Sequence, residues 1–228
     1  MTDVPESTCW TLIQGAAAGS SEDRAGFTHR YGDVLRAYFR ARWTGRPAAL
    51  EIEDAMQEVF LECFRGGGVL ERADPGCEGG FRAFLFGVAR NVALRVEKRL
   101  AKARARGDGN AVDLDDIESD ETAQSAAFDR AWAEALVREA SEVQRRQAEH
   151  AGPECRRRIE LLDLRFGEGV PIRDIAKLWD EDPVLLHREY EKARREFLGA
   201  LREVVAFHHQ GLPGEIDREC ERLQELLS

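Results

Sequence analysis

Residues 79–106 read GGFRAFLFGVARNVALRVEKRLAKARAR, and this stretch predicts a long helix around which the rest of the chain is organised. Its apolar residues recur at the spacing of one helical face: Phe81, Phe84, Leu85, Val88 and Val92. Eight lysines and arginines against one acid, Glu97, give it a local charge of about +7 in a chain whose net charge is −10. A cationic helix that starts with buried aromatics suits a track for nucleic-acid phosphates. A core helix with a solvated basic face is the alternative.

The composition of the whole chain predicts an all-α protein. Its 228 residues suffice for one large or two small domains, and 43% hydrophobic residues allow a buried core. Helical periodicities recur almost throughout, interrupted by only 20 glycines and 7 prolines. No apolar run approaches the length of about 18 residues that a membrane span needs, and the acidic start does not resemble a signal peptide. We therefore expect no contact with a membrane.

The cysteines and histidines indicate neither a metal site nor catalysis. Five cysteines are scattered without a C-x-x-C pair, which favours reduced thiols in the cytoplasm over a disulfide framework. Near the end of the chain, His208, His209 and Cys220 lack a fourth ligand and a regular spacing, so a structural role is expected. The sequence shows no nucleophile or cofactor motif. We expect a protein that is not an enzyme and needs no cofactor.

A second predicted helix, residues 51–65, reads EIEDAMQEVFLECFR and separates apolar from acidic side chains. Met56, Val59 and Cys63 belong to the apolar stripe. The polar faces carry Glu51, Glu53, Asp54, Gln57, Glu58 and Glu62. Acids in the first turn favour the helix dipole, so a plain amphipathic helix is one interpretation. A docking face for a basic partner is the other.

Acid-rich residues 107–127 predict a linker between two domains. Six acids lie between Asp113 and Glu121, with little to bury, which is typical of an extended segment. The linker separates an N-terminal domain, residues 1–106, from a C-terminal domain, residues 128–207. A short amphipathic tail helix follows in residues 208–228.

Within the second domain the pattern predicts a helix-turn-helix. A short helix, PIRDIAKLW at residues 171–179, precedes a turn and a longer helix that begins at Pro183. Asp182 is suited to cap that helix, and proline fits its first turn. Many helical hairpins share this geometry, so the pattern alone is only moderately specific.

Three segments together resemble one family, the extracytoplasmic-function (ECF) sigma factors of bacterial RNA polymerase. EDAMQEVFLECFR (53–65) is similar to the acidic helix of the family's region 2. FRAFLFGVARNVALRVEKR (81–99) is similar to the region 2 helix written F-R-A-W-L-x-x-I-A-R-N. RRRIELLDLRFGEGVPIRDIAKLW (156–179) resembles region 4, whose helix-turn-helix precedes a recognition helix. The match covers about two-thirds of the chain.

The resemblance implies a sigma factor that binds core RNA polymerase, recognises promoter DNA and promotes strand opening. The acidic face named above would dock on the clamp helices of the polymerase β′ subunit, and the β subunit would be a further contact. The residues implied to bind the minus-ten element are Arg82, Phe84, Arg90, Asn91, Arg95, Lys98 and Arg99. The loop 74–80 would help to capture a flipped base. Binding to the minus-thirty-five element falls to His187, Arg188, Glu189, Lys192, Arg194 and Arg195. An anti-sigma factor would be another partner.

The recognition helix departs from the family pattern. Leu185 removes a usual hydroxyl, Glu189 replaces a cation, and Asp180 stands where the turn usually has glycine, although aspartate tolerates the left-handed conformation. A sigma mimic that binds polymerase or an anti-sigma factor without reading DNA is therefore the alternative. An ordinary helix-turn-helix regulator would have to dimerise and leaves the acidic helix unexplained. We expect the basic helix of residues 79–106 to carry most of the DNA recognition.

Overall fold

The computed structural model describes residues 9–74, 79–107, 121–208 and 213–226. Within these ranges the chain forms helices joined by turns and contains no strand, which confirms the predicted all-α fold. The α-helices are α1 (Cys9–Ala18), α2 (Ser21–Trp43), α3 (Ile52–Phe64), α4 (Gly80–Gly107), α5 (Glu121–Ala151), α6 (Pro153–Leu162), α7 (Ile172–Trp179), α8 (Pro183–His208) and α9 (Pro213–Leu226). Shorter elements are 3-10 helices at Pro47–Glu51 and Leu70–Arg72 and a wide π turn at Asp163–Gly167.

The chain divides into two compact units, and the division lies inside α5, between Ala135 and Leu136. Phe207 and His208 also belong to the first unit, and the predicted domain bounds stay a prediction. No helix in the described part of the chain has both the length and the apolar character that a membrane crossing requires.

Aromatic side chains from four helices fill the core of the first unit. The ring of Phe27 on α2 lies 4.8 Å from that of Tyr31 and 5.9 Å from that of Phe81 on α4. Trp132 on α5 stacks on Tyr31 at 5.5 Å. The apolar stripe that the sequence predicts for α4 is buried at Phe81, Leu85, Val88 and Val92, and half-buried at Phe84. Burying large aromatic rings of this kind supplies most of the stabilisation of a small helical core.

A buried polar cluster joins α2, α4 and α5. Arg42 on α2 is 3% exposed and makes a two-pronged ion pair with Glu97 on α4, at 2.7 Å and 2.9 Å. The indole nitrogen of Trp43 donates to the same carboxylate at 2.8 Å. Arg42 also donates to the side-chain oxygen of Gln124 in the first turns of α5. Because each buried charge has hydrogen-bond partners, the polar groups of the cluster are satisfied. The cluster also fixes the positions of the three helices relative to one another.

The predicted linker, residues 107–127, is wrong at its C-terminal end. Residues 108–120 lie outside the described residues, but Glu121 already begins α5. The helix extends back this far because Gln124 bonds to Arg42 and Phe128 is fully buried against the first unit. Residues 121–135 are therefore a helical part of the first unit and not a connection to the second.

The second unit contains the predicted helix-turn-helix in α7 and α8. Its small core is formed by Leu161, Ile175, Ala176 and Leu186. Asp180 ends α7 in the left-handed conformation, with φ 53° and ψ 47°, which aspartate tolerates better than most residues. Asp182 caps α8, because its carboxylate accepts hydrogen bonds from the backbone nitrogens of Val184 at 2.7 Å and Leu185 at 3.2 Å. These two aspartates set the angle at which the recognition helix leaves the turn.

Arg158 on α6 ties the helix-turn-helix to the rest of the second unit. Its guanidinium is nearly buried and bonds to both carboxylate oxygens of Glu196 on α8, at 3.0 Å and 2.7 Å. A third bond, of 3.1 Å, reaches Glu189, about two turns earlier on the same helix. The tail helix α9 joins this unit through an ion pair of 2.7 Å between Asp217 and Arg202. The predicted tail helix is present, within Pro213–Leu226.

Candidate nucleic-acid and partner interface

The cations of α4 lie on two roughly opposite faces of the helix. At 3.6 residues per turn, positions 82, 86 and 90 share one side, and positions 91, 95, 98 and 102 share the other. The predicted minus-ten residues therefore do not form a single surface. The first face lies against α5, and the second lies beside α3.

On the first face, acids of α5 hold two of the predicted DNA-binding arginines. Arg82 forms an ion pair with Asp129, and Arg90 pairs with Glu121 at 2.6 Å. Between them, Phe86 packs edge-on against the buried ring of Phe128 at 5.3 Å. This face of α4 is therefore covered by α5, of which only residues 121–127 belong to the predicted linker, and its two cations each pair with an acid of that helix.

On the second face, the predicted acidic docking residues pair with the predicted phosphate-binding residues. Arg95 lies 3.0 Å from a carboxylate oxygen of Glu58 and 2.6 Å from one of Glu62. Arg99 lies 3.2 Å from Glu51 and 3.6 Å from the other oxygen of Glu58. The two arginine side chains are still 45% and 54% exposed. Ion pairs this open to water exchange readily with other partners.

Three side chains on the same face have no ion pair or hydrogen bond with any described residue: Asn91, Lys98 and Lys102. All three are exposed. Two positive charges one turn apart, with an amide two turns before them on the same face, can bind phosphates and a base edge. Phe84 stacks on Phe81 at 5.7 Å and is only half-buried, so part of its ring remains available. Of the predicted loop 74–80, residues 75–78 lie outside the described residues.

The outer face of α3 carries two exposed leucines that the sequence analysis missed. Leu50, at the end of the preceding 3-10 helix, is 90% exposed, and Leu61 is 70% exposed. Asp54 and Gln57, both predicted to bind a partner, are exposed between them. Glu53 instead pairs with Arg36 on α2. Positions 54, 57 and 61 share one helical face, so an apolar and acidic surface suited to a protein partner results. The signal was present in the sequence, since Leu61 falls outside the buried stripe.

Glu189 on α8 has a structural role, because it takes part in ion pairs with two cations. It bonds to Arg158 and accepts a hydrogen bond of 2.6 Å from Lys192. The bond from Lys192, helped by Arg158, lowers the pKa of Glu189 below its ordinary value. The two predicted minus-thirty-five residues at these positions therefore pair with each other, and Glu189 also pairs with Arg158 on α6.

The other predicted minus-thirty-five residues on α8 differ in their exposure and in their hydrogen-bond and ion-pair partners. His187 and Arg188 are exposed in the second turn. Arg194 pairs with Glu191 at 3.5 Å, and Arg195 donates to the backbone oxygen of that residue at 3.3 Å. The helix start is apolar and acidic, because Val184 and Leu185 are exposed there and Asp182 occupies the cap. A carboxylate at a helix N-terminus takes the place that a DNA phosphate would otherwise occupy.

The sequence analysis also missed both buried arginine clusters. Glu97 was the only acid in a cationic stretch, directly after the buried residue Val96, and this isolation was the available signal for a buried partner. Nothing in the sequence near Arg42 or Arg158 marks them as buried, because their partners lie tens of residues away.

The described cysteines are free thiols: Cys9, Cys63, Cys155 and Cys220. Burial raises the pKa of Cys9 and of Cys63 to about 12, so both thiols are protonated at neutral pH and unsuited to nucleophilic attack. No group of three or more His, Cys, Asp or Glu side chains that could hold a metal ion occurs among the residues described.

No protein-family model and no curated protein sequence match this chain.

Proposed function

We propose that this protein is a sigma-type transcription initiation factor, which binds core RNA polymerase and opens promoter DNA. The observation that carries the proposal is the juxtaposition of α3 and α4. An acidic and apolar surface faces outward from α3, and a cationic surface with an exposed amide lies next to it on α4. Two of the three segments similar to ECF sigma factors, residues 53–65 and 81–99, support the proposal, because they lie in these two helices.

The second face of α4 binds the melted strand of the minus-ten element. Lys98 and Lys102 attract phosphates, and Asn91 offers both a donor and an acceptor to the edge of an unstacked base. Unstacking a base costs a few kcal/mol, which phosphate contacts and a shaped site offset. Arg82 positions α5 instead of contacting DNA, because Asp129 holds it, whereas the pair of Arg90 with Glu121 is as open to water as the pairs of Arg95.

The outer face of α3 binds the clamp helices of the polymerase β′ subunit. Leu50 and Leu61 supply the apolar centre of this contact, while Asp54 and Gln57 supply polar groups for a cationic partner. Exposed leucines beside carboxylates suit a surface that is buried on binding. The protein acts in the cytoplasm with the polymerase, and an anti-sigma factor would act by covering the same surfaces.

A second candidate is a sigma mimic that binds polymerase or an anti-sigma factor without reading DNA. The start of α8 favours this candidate, since Asp182 caps the helix, Leu185 is exposed and Glu189 is engaged with Arg158. In the sigma-factor proposal, the same features confine upstream DNA contacts to His187 and Arg188. The two candidates differ in whether α4 touches DNA.

Purified core polymerase separates the candidates. The protein is mixed with core enzyme, complex formation is followed by gel filtration, and a fragmented genomic library is transcribed by the mixture. A sigma factor gives both a complex and defined transcripts. A mimic gives a complex without transcripts. If neither a complex nor transcripts form, the proposal is wrong.

A further inference from the structure

Four ion pairs connect the two surfaces that the proposed function assigns to different partners. Arg95 contacts Glu58 and Glu62, and Arg99 contacts Glu51 and Glu58. Glu58 is central, because each of its oxygens pairs with a different arginine. The surface of α3 that would bind polymerase therefore borders on the cations of α4 that would bind DNA, with a shared set of charges between them.

The same arginine atoms cannot be fully bonded to both a carboxylate and a phosphate. A guanidinium offers its paired N–H groups to either anion in similar geometry, so a phosphate approaching Arg95 has to displace Glu58 or Glu62. Those carboxylates also repel the phosphate while they remain, because they lie well within the screening length of about 8 Å at physiological salt. Nucleic acid thus competes with an acidic group that belongs to the protein itself.

We propose that the α3 carboxylates Glu58 and Glu62 act as an internal competitor that lowers the affinity of free protein for single-stranded DNA. A cationic protein surface that takes over these carboxylates releases Arg95 and Arg99 to the phosphates. The two binding events are then coupled, and by linkage each strengthens the other. This inference rests on the proposed function for the identity of the cationic surface, but the competition itself is a property of the free chain.

The test measures binding of the full-length free protein to a fluorescently labelled single-stranded oligonucleotide by anisotropy at physiological ionic strength. Glu58→Gln and Glu62→Gln each remove one negative charge with almost no change in shape. We expect the dissociation constant to fall about two- to fivefold in each variant, the size that exchange of partly exposed ion pairs allows. We expect the larger decrease in the dissociation constant for Glu58→Gln, since Glu58 contacts both arginines.

Two matched controls remove the same charge from the same helix. Asp54 is exposed and has no ion pair with any described residue, and Glu53 pairs with Arg36 on α2. Asp54→Asn and Glu53→Gln therefore report the general effect of net charge on DNA binding. Circular dichroism and thermal unfolding confirm that the variants are folded. Equal affinities for all four variants would overturn the inference, because the gain would then be nonspecific.

A second readout separates this inference from the proposed function. In the complex with core polymerase, DNA affinity is compared between wild type and Glu62→Gln. We expect the difference seen in free protein to shrink, because the polymerase has already relieved the competition. A difference that persists unchanged overturns the coupling while leaving the sigma function intact. If neither wild type nor any variant binds polymerase, the proposed function is wrong. The DNA affinities of the free proteins still show whether Glu58 and Glu62 compete with DNA for the arginines.

Discussion

At the scale of single residues, Glu97 shows how one buried acid organises a cationic helix. Burial disfavours its charged form, but the hydrogen bonds from Arg42 and Trp43 outweigh this cost and hold the pKa of Glu97 below its ordinary value of 4.5. The carboxylate is therefore ionised in the folded protein at neutral pH. The ionised carboxylate links α4 to α2 through Arg42 and Trp43, so protonating or removing it should destabilise the first unit.

The lowered pKa of Glu97 predicts a specific loss of stability in acid. A carboxyl group whose pKa is lower in the folded state stabilises the protein above its unfolded pKa, and this contribution disappears as the pH falls through the folded value. We expect the free energy of unfolding to decrease below about pH 4.5. Glu97→Gln should be less stable at neutral pH and should show a weaker dependence on pH in this window. Urea unfolding at a series of pH values measures both, and equal slopes for the two proteins would contradict the assignment.

Asp180 gives a second prediction, because its conformation disfavours most side chains. In the left-handed region a β-branched residue is strained, whereas glycine is not. Asp180→Val should destabilise the protein by roughly 1–2 kcal/mol, and Asp180→Gly should be neutral or slightly stabilising. Chemical unfolding followed by circular dichroism measures the difference. A valine variant as stable as wild type would show that the turn does not hold this conformation.

At the scale of whole elements, α5 was the least predictable helix. Its buried stripe from Phe128 onward follows from apolar spacing, but its first turns, ETAQSAA at residues 121–127, directly follow the acidic run and carry no apolar stripe. Gln124 adopts a helix there because its side chain meets Arg42, a partner 82 positions away. Local composition contains no information about such a partner. The helices α2, α3, α4, α7 and α8 were predictable because their apolar stripes specify them locally.

The integration of α5 into the first unit can be tested by removing one ring. Phe128 is fully buried against Tyr38 and Phe86, so Phe128→Ala should cost about 3–5 kcal/mol of stability. Phe166 is 66% exposed and serves as the matched control, with an expected cost below about 0.5 kcal/mol. Calorimetry of the two variants compares them directly. Similar small losses would mean that residues 121–135 are only loosely attached.

The recognition helix α8 illustrates the opposite difficulty. Its residues and boundaries were predicted well, yet the role of Glu189 was not, because Arg158 lies 31 positions earlier in the chain. Sequence alone suggested an acid facing DNA, and the structure instead places this acid in the contact that holds α6 against α8. The candidate site was predictable in its residue types, whereas its pairing pattern was not.

At the scale of the whole molecule, the acidic net charge and the carboxylates beside α4 both weaken the attraction of this cationic helix for nucleic acid. A chain of net charge −10 repels nucleic acid at long range, and α3 and α5 neutralise most arginines of α4 locally. Among the α4 cations whose side chains the structure describes, Lys98 and Lys102 face solvent without an ion pair to a described residue. DNA binding by the free protein should therefore be weak, and it should strengthen when a cationic partner covers α3.

The central claim is that the second face of α4 opens promoter DNA, and permanganate reactivity of unpaired thymines tests it most directly. On a promoter selected from the genomic library, reactive thymines should appear only when both core polymerase and this protein are present. The double variant Asn91→Ala, Lys98→Ala should lower that reactivity at least about tenfold while still binding polymerase, because it removes a base contact and a phosphate contact. The control Arg146→Ala, which removes an exposed cation of α5, should leave it unchanged. Full reactivity with the double variant, or no reactivity with a wild-type complex, would contradict the account.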